Sequence, residues 1–207
     1  MTDQMQAIQD DIRYMRALAD EGRRAPLLGG PILLMAGLTF GAASLSAWAF
    51  QNRLLSLDPA WQNAVWAASF IAFLTTLKLL MRGQSKKVGA SAVNNRTSGL
   101  VWSLGGWSIF AFLLAMAAAC WRLQSAAPTV MIAPFVLVIY GIGWAVASMM
   151  SDLKWLRWLG VGAFAGAVVM GLLAGSSVQY LAYAAALLLL AALPGWLLLR
   201  QEPSTTV

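Results

Sequence analysis

The chain has 207 residues, of which 60% are hydrophobic and 11% charged; its formal net charge is +6 and it holds no histidine and one cysteine. A soluble domain carries about 25% charged residues, so this composition excludes a water-surrounded globule as the main body. The missing imidazole excludes Ser-His-Asp and Cys-His nucleophile pairs and His-based metal sites, and a lone Cys120 provides neither an internal disulfide nor a zinc-ligand pair.

Residues 1–27 read as a cytoplasmic amphipathic arm. Met5, Ile8, Ile12, Met15 and Ala19 recur at spacings of three and four, which places them on one stripe of a helix. Thr2 or Asp3 can cap its start, and Gly22 and Pro26 interrupt it before the bilayer. A helix lying on lipid favours Lys and Arg on its polar face, whereas this face includes Asp10, Asp11, Asp20 and Glu21. The arm therefore suits a protein groove or a second copy better than the lipid surface, with Met5, Ile8, Ile12 and Met15 as the expected partner contacts.

Residues 28–199 form the transmembrane domain, an all-α bundle of six expected helices at 28–50, 61–81, 99–121, 130–150, 157–174 and 178–199. A crossing needs about 20 apolar residues for a hydrocarbon core of about 30 Å, and the fifth stretch is the shortest. Helix 1 follows Gly29-Gly30-Pro31 and carries Gly37 and Gly41 four apart. Small residues at that spacing let two backbones approach closely. Helix 2 ends in a flexible, acid-free basic loop. Its Arg82, Lys86, Lys87 and Arg96 are expected to meet anionic lipid, to set the topology, or to pair with Asp10 and Asp11.

Helix 3 carries Trp102 and Trp107, with Cys120 near its outer end as an apolar filler. Helix 4 has Pro134 in its tolerant first turn, the small pair Gly143 and Ala147, and Trp144, whose indole N–H needs an acceptor such as Ser103, Ser108 or Ser148. Helix 5 is the richest in packing glycines, with the pairs Gly162 and Gly166, and Gly171 and Gly175. Pro194-Gly195 marks a kink or an end in helix 6, and residues 200–207 are a cytoplasmic tail. Leu28-Gly29-Gly30, Leu104-Gly105-Gly106 and Leu159-Gly160-Val161-Gly162 repeat near the starts of helices 1, 3 and 5, a short pattern compatible with three helical hairpins.

Of the basic residues, twelve fall in the arm, the second and fourth loops and the tail, and only Arg53 and Arg122 fall on the other side. The positive-inside rule then places both termini in the cytoplasm. Most of the tryptophans gather at the expected helix ends, as interfacial aromatics do. The net positive charge is thus a topology signal, and no nucleic-acid partner is expected.

No Asp, Glu or His lies inside a predicted span, and an ionisable group there is the usual mark of a proton or ion pathway. These features point to a multi-pass cell-membrane protein, of a bacterial inner membrane, that is not an enzyme and needs no cofactor or metal. The expected role is accessory or regulatory, through protein contacts made by the arm or by a second copy of the chain. The alternative is a small transporter or channel for a neutral or lipidic solute, lined by Trp66, Trp107, Trp144 or Tyr140. An intramembrane enzyme built on Asp152, Lys154 and Arg157 has the least support.

Overall fold

A computed structural model describes residues 5–6, 8–9, 11–15, 26–55, 58, 60–84, 87 and 89–202. The fold is all-helical. In chain order come α1 (Gly30–Gln51), α2 (Ala60–Gln84), α3 (Val93–Leu123), a 3-10 turn (Ala127–Met131) leading into α4 (Ile132–Met150), α5 (Leu156–Leu172) and α6 (Val178–Gln201). Five of these are long and apolar enough to cross a membrane: α1, α2, α3, α4 with its leading turn, and α6. Such a set suggests a multi-pass membrane protein.

The fifth helix is shorter than the sequence suggests. Gly175 adopts φ +81°, and the chain turns through residues 173–177 instead of continuing the helix to 174. The 17 residues of α5 give a rod of about 26 Å, at the lower limit for a crossing. The third helix is longer than expected, because Val93 to Ser98 join it and bury Asn94 and Ser98.

Neighbouring helices run in opposite directions. At one end of the bundle lie the start of α1, the α2–α3 and α4–α5 connections and the end of α6. Arg82, Lys87, Arg96, Lys154, Arg157 and Arg200 all belong to this basic end, and Arg53 and Arg122 to the opposite one. The core is built by α1, α4, α5 and α6, around the fully buried Leu137, Trp144, Leu156 and Leu187. The two remaining helices are flanks: α2 lies along α1 and α3 along α4. α2 buries none of its residues, and apolar side chains such as Ile71, Leu79, Leu104, Trp107 and Trp121 stand exposed on the two flanks. An apolar outer surface of this extent is a liability in water and the natural covering of a bundle in lipid.

Lipid tails are as apolar as leucine, so helices in a bilayer associate through close packing and hydrogen bonds. The α1–α6 seam shows the first in its strongest form. A Cβ at Gly37 would lie 2.5 Å from the Ala192 nitrogen, one at Gly30 would lie 2.5 Å from the Leu199 nitrogen, and one at Gly195 would lie 2.4 Å from the Leu34 nitrogen. The two backbones touch, and only glycine fits at these crossings. The α4–α5 seam interlocks differently, with the Phe164 ring seated on Gly141 and Gly160 against the backbone of Gly141 and Ala145. On the α3–α4 seam the Trp102 ring covers Gly143, Ile139 covers Gly105, and Phe112 stacks on Phe135 at 4.0 Å.

The expected packing glycines divide accordingly. Gly37 stands at backbone contact, while a Cβ at Gly41 or Gly162 would make ordinary contact with the Leu188 or Leu190 side chain, at 3.7 and 3.4 Å. A Cβ at Gly166 would be tight against Leu137, at 3.2 Å. Gly171 and Gly175 depart from the expectation: a Cβ at either meets nothing within 4 Å, and Gly175 lies in the turn beyond α5, where its positive φ, not helix contact, calls for glycine.

Candidate functional site

Two polar constructions stand out, one within the bundle and one at its basic end. The first starts from Pro194. Proline has no N–H, so the carbonyl four residues earlier, on Leu190, loses its helical donor. The helix widens into a π turn over Leu188–Ala192. The Trp144 indole supplies the missing donor, with Nε1 donating to the Leu190 oxygen at 2.9 Å. Trp144 is 1% exposed, and Trp102 meets both it and Tyr140 edge-on at 5.5 and 5.3 Å. Pro194-Gly195 therefore neither ends nor sharply breaks the helix. Trp144 thus uses a backbone carbonyl in place of the serine acceptors expected for it; Ser108 donates to the Leu104 carbonyl and Ser148 to that of Ala145.

Other buried polar groups likewise act as interhelical pins. Ser44 of α1 donates to the Tyr180 carbonyl of α6 at 2.8 Å. Gln179 at the start of α6 donates to the carbonyls of Val130 and Met170 at 2.8 and 3.1 Å, tying three elements at the end opposite the basic one.

The second construction sits at the basic end. Gly29 precedes α1 with φ +120°, a conformation L side chains rarely adopt. Its turn sends the N–H groups of Gly29 and Gly30 toward a single acceptor, Oε1 of Glu202, at 3.2 and 3.0 Å. The other carboxylate oxygen meets the Lys87 ammonium. The Glu202 side chain is 2% exposed, so this ion pair is largely withdrawn from water. Asn95 braces the same segment from α3: it accepts from the Leu28 N–H at 2.8 Å and donates to the carbonyls of Pro26 and Gly89 at 2.9 Å each.

Lys87 faces the protein's own C-terminal acid, while Arg82 and Arg96 are exposed at the same end and Lys86 lies outside the described residues. Asp10 lies outside them too. Arg200 stacks on Trp196, 3.6 Å from the ring centroid, as an interfacial Trp–Arg pair would. Neither Glu202 nor Asn95 stood out in the sequence. The available signal was an acid just past the last apolar residue and a Gly-Gly-Pro helix start left without a capping side chain.

The arm residues Met5, Ile8, Ile12 and Met15 are helical and exposed, at 64, 58, 39 and 61%. Thr2, Asp3 and residues 16–25 lie outside the described part. Among the described residues no group of three or more His, Cys, Asp or Glu side chains is placed to hold a metal ion. Of the remaining candidates, Trp107 is 68% exposed on the outer flank of α3, Tyr140 is buried, and Trp66 packs on the core from α2. No protein-family model matches the chain, and comparison with curated proteins and with solved structures finds nothing similar.

Proposed function

We propose that this is a six-crossing membrane protein with both ends in the cytoplasm, and that it works through contacts, as an accessory or regulatory component whose handle is the N-terminal arm. The observation that carries this reading is the contrast between the two parts of the chain. The interior of the bundle is occupied by large packed side chains and backbone-to-backbone helix contact. The arm, by contrast, presents Met5, Ile8, Ile12 and Met15 along one exposed helical stripe. Four apolar residues at spacings of three and four are the anchors of a helix-in-groove contact. The meeting of Gly29 with Glu202 supports an even number of crossings, and the concentration of Lys and Arg at that end supports a cytoplasmic placement, in an inner membrane for a bacterial chain.

A solute pathway has weaker support, because Trp144 and Tyr140 are buried in contacts with neighbouring helices and the Trp144 N–H is committed to Leu190. The test is deletion of residues 1–24, with inserted protein measured in membranes and co-purifying proteins identified. Normal insertion with loss of the partner is expected. An unchanged set of co-purifying proteins would count against the arm, and solute flux through liposomes holding the pure protein would favour the pathway.

A further inference from the structure

We infer that Glu202 is a latch: its carboxylate fastens the end of α6 to the start of α1 and to the α2–α3 loop, and so holds the backbone of residues 26–30, the base from which the arm is joined to the bundle. The first N–H groups of a helix have no partner within it, and they sit at the positive end of the helix dipole. Here the Gly29 and Gly30 N–H groups converge on Glu202 Oε1, at 3.2 and 3.0 Å, while Lys87 neutralises the other oxygen. A carboxylate withdrawn from water is tolerated only when paired and hydrogen-bonded, and this one is both.

The rest of the segment is held from the opposite side. Asn95 takes the Leu28 N–H and donates to the Pro26 carbonyl. Between them, two side chains from distant parts of the sequence bind four backbone polar groups within residues 26–30. The arm therefore starts from a clamped base, and one jaw of the clamp is the C-terminal end of the described chain. That jaw follows a helix segment, Leu193–Gln201, set off from the rest of α6 by the π turn. Anything that draws Glu202 away removes the acceptor of two N–H groups at once and releases the arm's base. The inference concerns the base of the arm and does not depend on what the arm contacts.

The test uses the full chain in lipid nanodiscs, with hydrogen exchange read at residues 26–32 and spin labels on native Cys120 and on Met15→Cys. Glu202→Gln keeps the size and removes the charge. It is expected to speed exchange at Gly29 and Gly30 by about tenfold or more, the scale of a lost charge-assisted bond, and to broaden the label distances. Lys87→Met should do the same to a smaller extent. The double swap Glu202→Lys with Lys87→Glu keeps an ion pair but places an ammonium, which cannot accept, at position 202 beside the two N–H groups, so it should exchange at least as fast as Glu202→Gln, whose amide oxygen remains a weaker acceptor. Should Glu202→Gln lose protection throughout the bundle, Glu202→Asp provides the milder cut and should loosen residues 26–32 alone. Unchanged exchange at Gly29 and Gly30, unchanged label distances, or rescue by the swap would each overturn the latch.

Discussion

Replacing Gly37 by alanine is the sharpest test of how α1 and α6 are joined. The added methyl would sit 2.5 Å from the Ala192 nitrogen, 2.8 Å from its Cβ and 2.9 Å from its Cα. Two of those three atoms are backbone in the middle of a helix, so no side chain can swing away to make room. The helices must part by about 1 Å, which loosens the contacts along the whole seam. Overpacking costs about 1–3 kcal/mol, and a rigid backbone contact belongs at the upper end. Alanine's better helix propensity returns about 1 kcal/mol, leaving a net loss of about 2 kcal/mol. Gly171→Ala is the matched control, because its methyl meets nothing within 4 Å and should be neutral or slightly stabilising. Reversible unfolding in mixed micelles with rising SDS fraction, followed by the fluorescence of the ten tryptophans, measures both. A Gly37→Ala protein as stable as the parent, or a Gly171→Ala protein as damaged as Gly37→Ala, would refute the close-seam argument.

Three further outcomes follow from the same physics. Trp144→Phe leaves the Leu190 carbonyl without its donor and should lower stability by about 1–3 kcal/mol, and adding Pro194→Ala, which restores a backbone N–H, should recover part of that loss in the same unfolding assay. Gln179→Leu removes the bonds to Val130 and Met170 and should speed amide exchange around the 3-10 turn and the α5–α6 turn, leaving the basic end as protected as before. Ile8→Asp with Ile12→Asp should abolish partner co-purification as fully as deleting the arm does, with no change in the unfolding midpoint of the bundle, since both side chains are exposed.

Hydropathy is a long-range property, and it located the helices well: the apolar stretches from 28–50 through 178–199 lie within a few residues of the observed helices, α3's early start apart. The end of α5 was less legible, because Gly171 and Gly175 at spacing four read as a packing pair while the backbone uses Gly175 for a turn. The decisive seam was only half visible. Gly37 was evident from its spacing to Gly41, but its partner on α6 is Ala192, and the α6 glycine of the seam, Gly195, meets Gly30 and Leu34; both look like generic residues around a proline. Spacing reports which face of a helix is small and not which other helix will lie on it. Pro194 announced an orphan carbonyl on Leu190, yet the donor comes from Trp144, 46 positions away. Glu202 was the hardest to read, since its role depends on the end of the chain returning to its beginning, 172 positions from Gly30.

The claim beneath all of this is that the helices cross a bilayer alternately, the short α5 included. Single cysteines in a Cys120→Ser background, labelled in intact cells by a membrane-impermeant maleimide, test it directly. Leu54→Cys, Ser125→Cys and Ser177→Cys should react from outside, whereas Gly83→Cys and Asp152→Cys should react only after the membrane is opened. Labelling of Asp152→Cys in sealed cells, or protection of Ser177→Cys, would contradict the six-crossing arrangement.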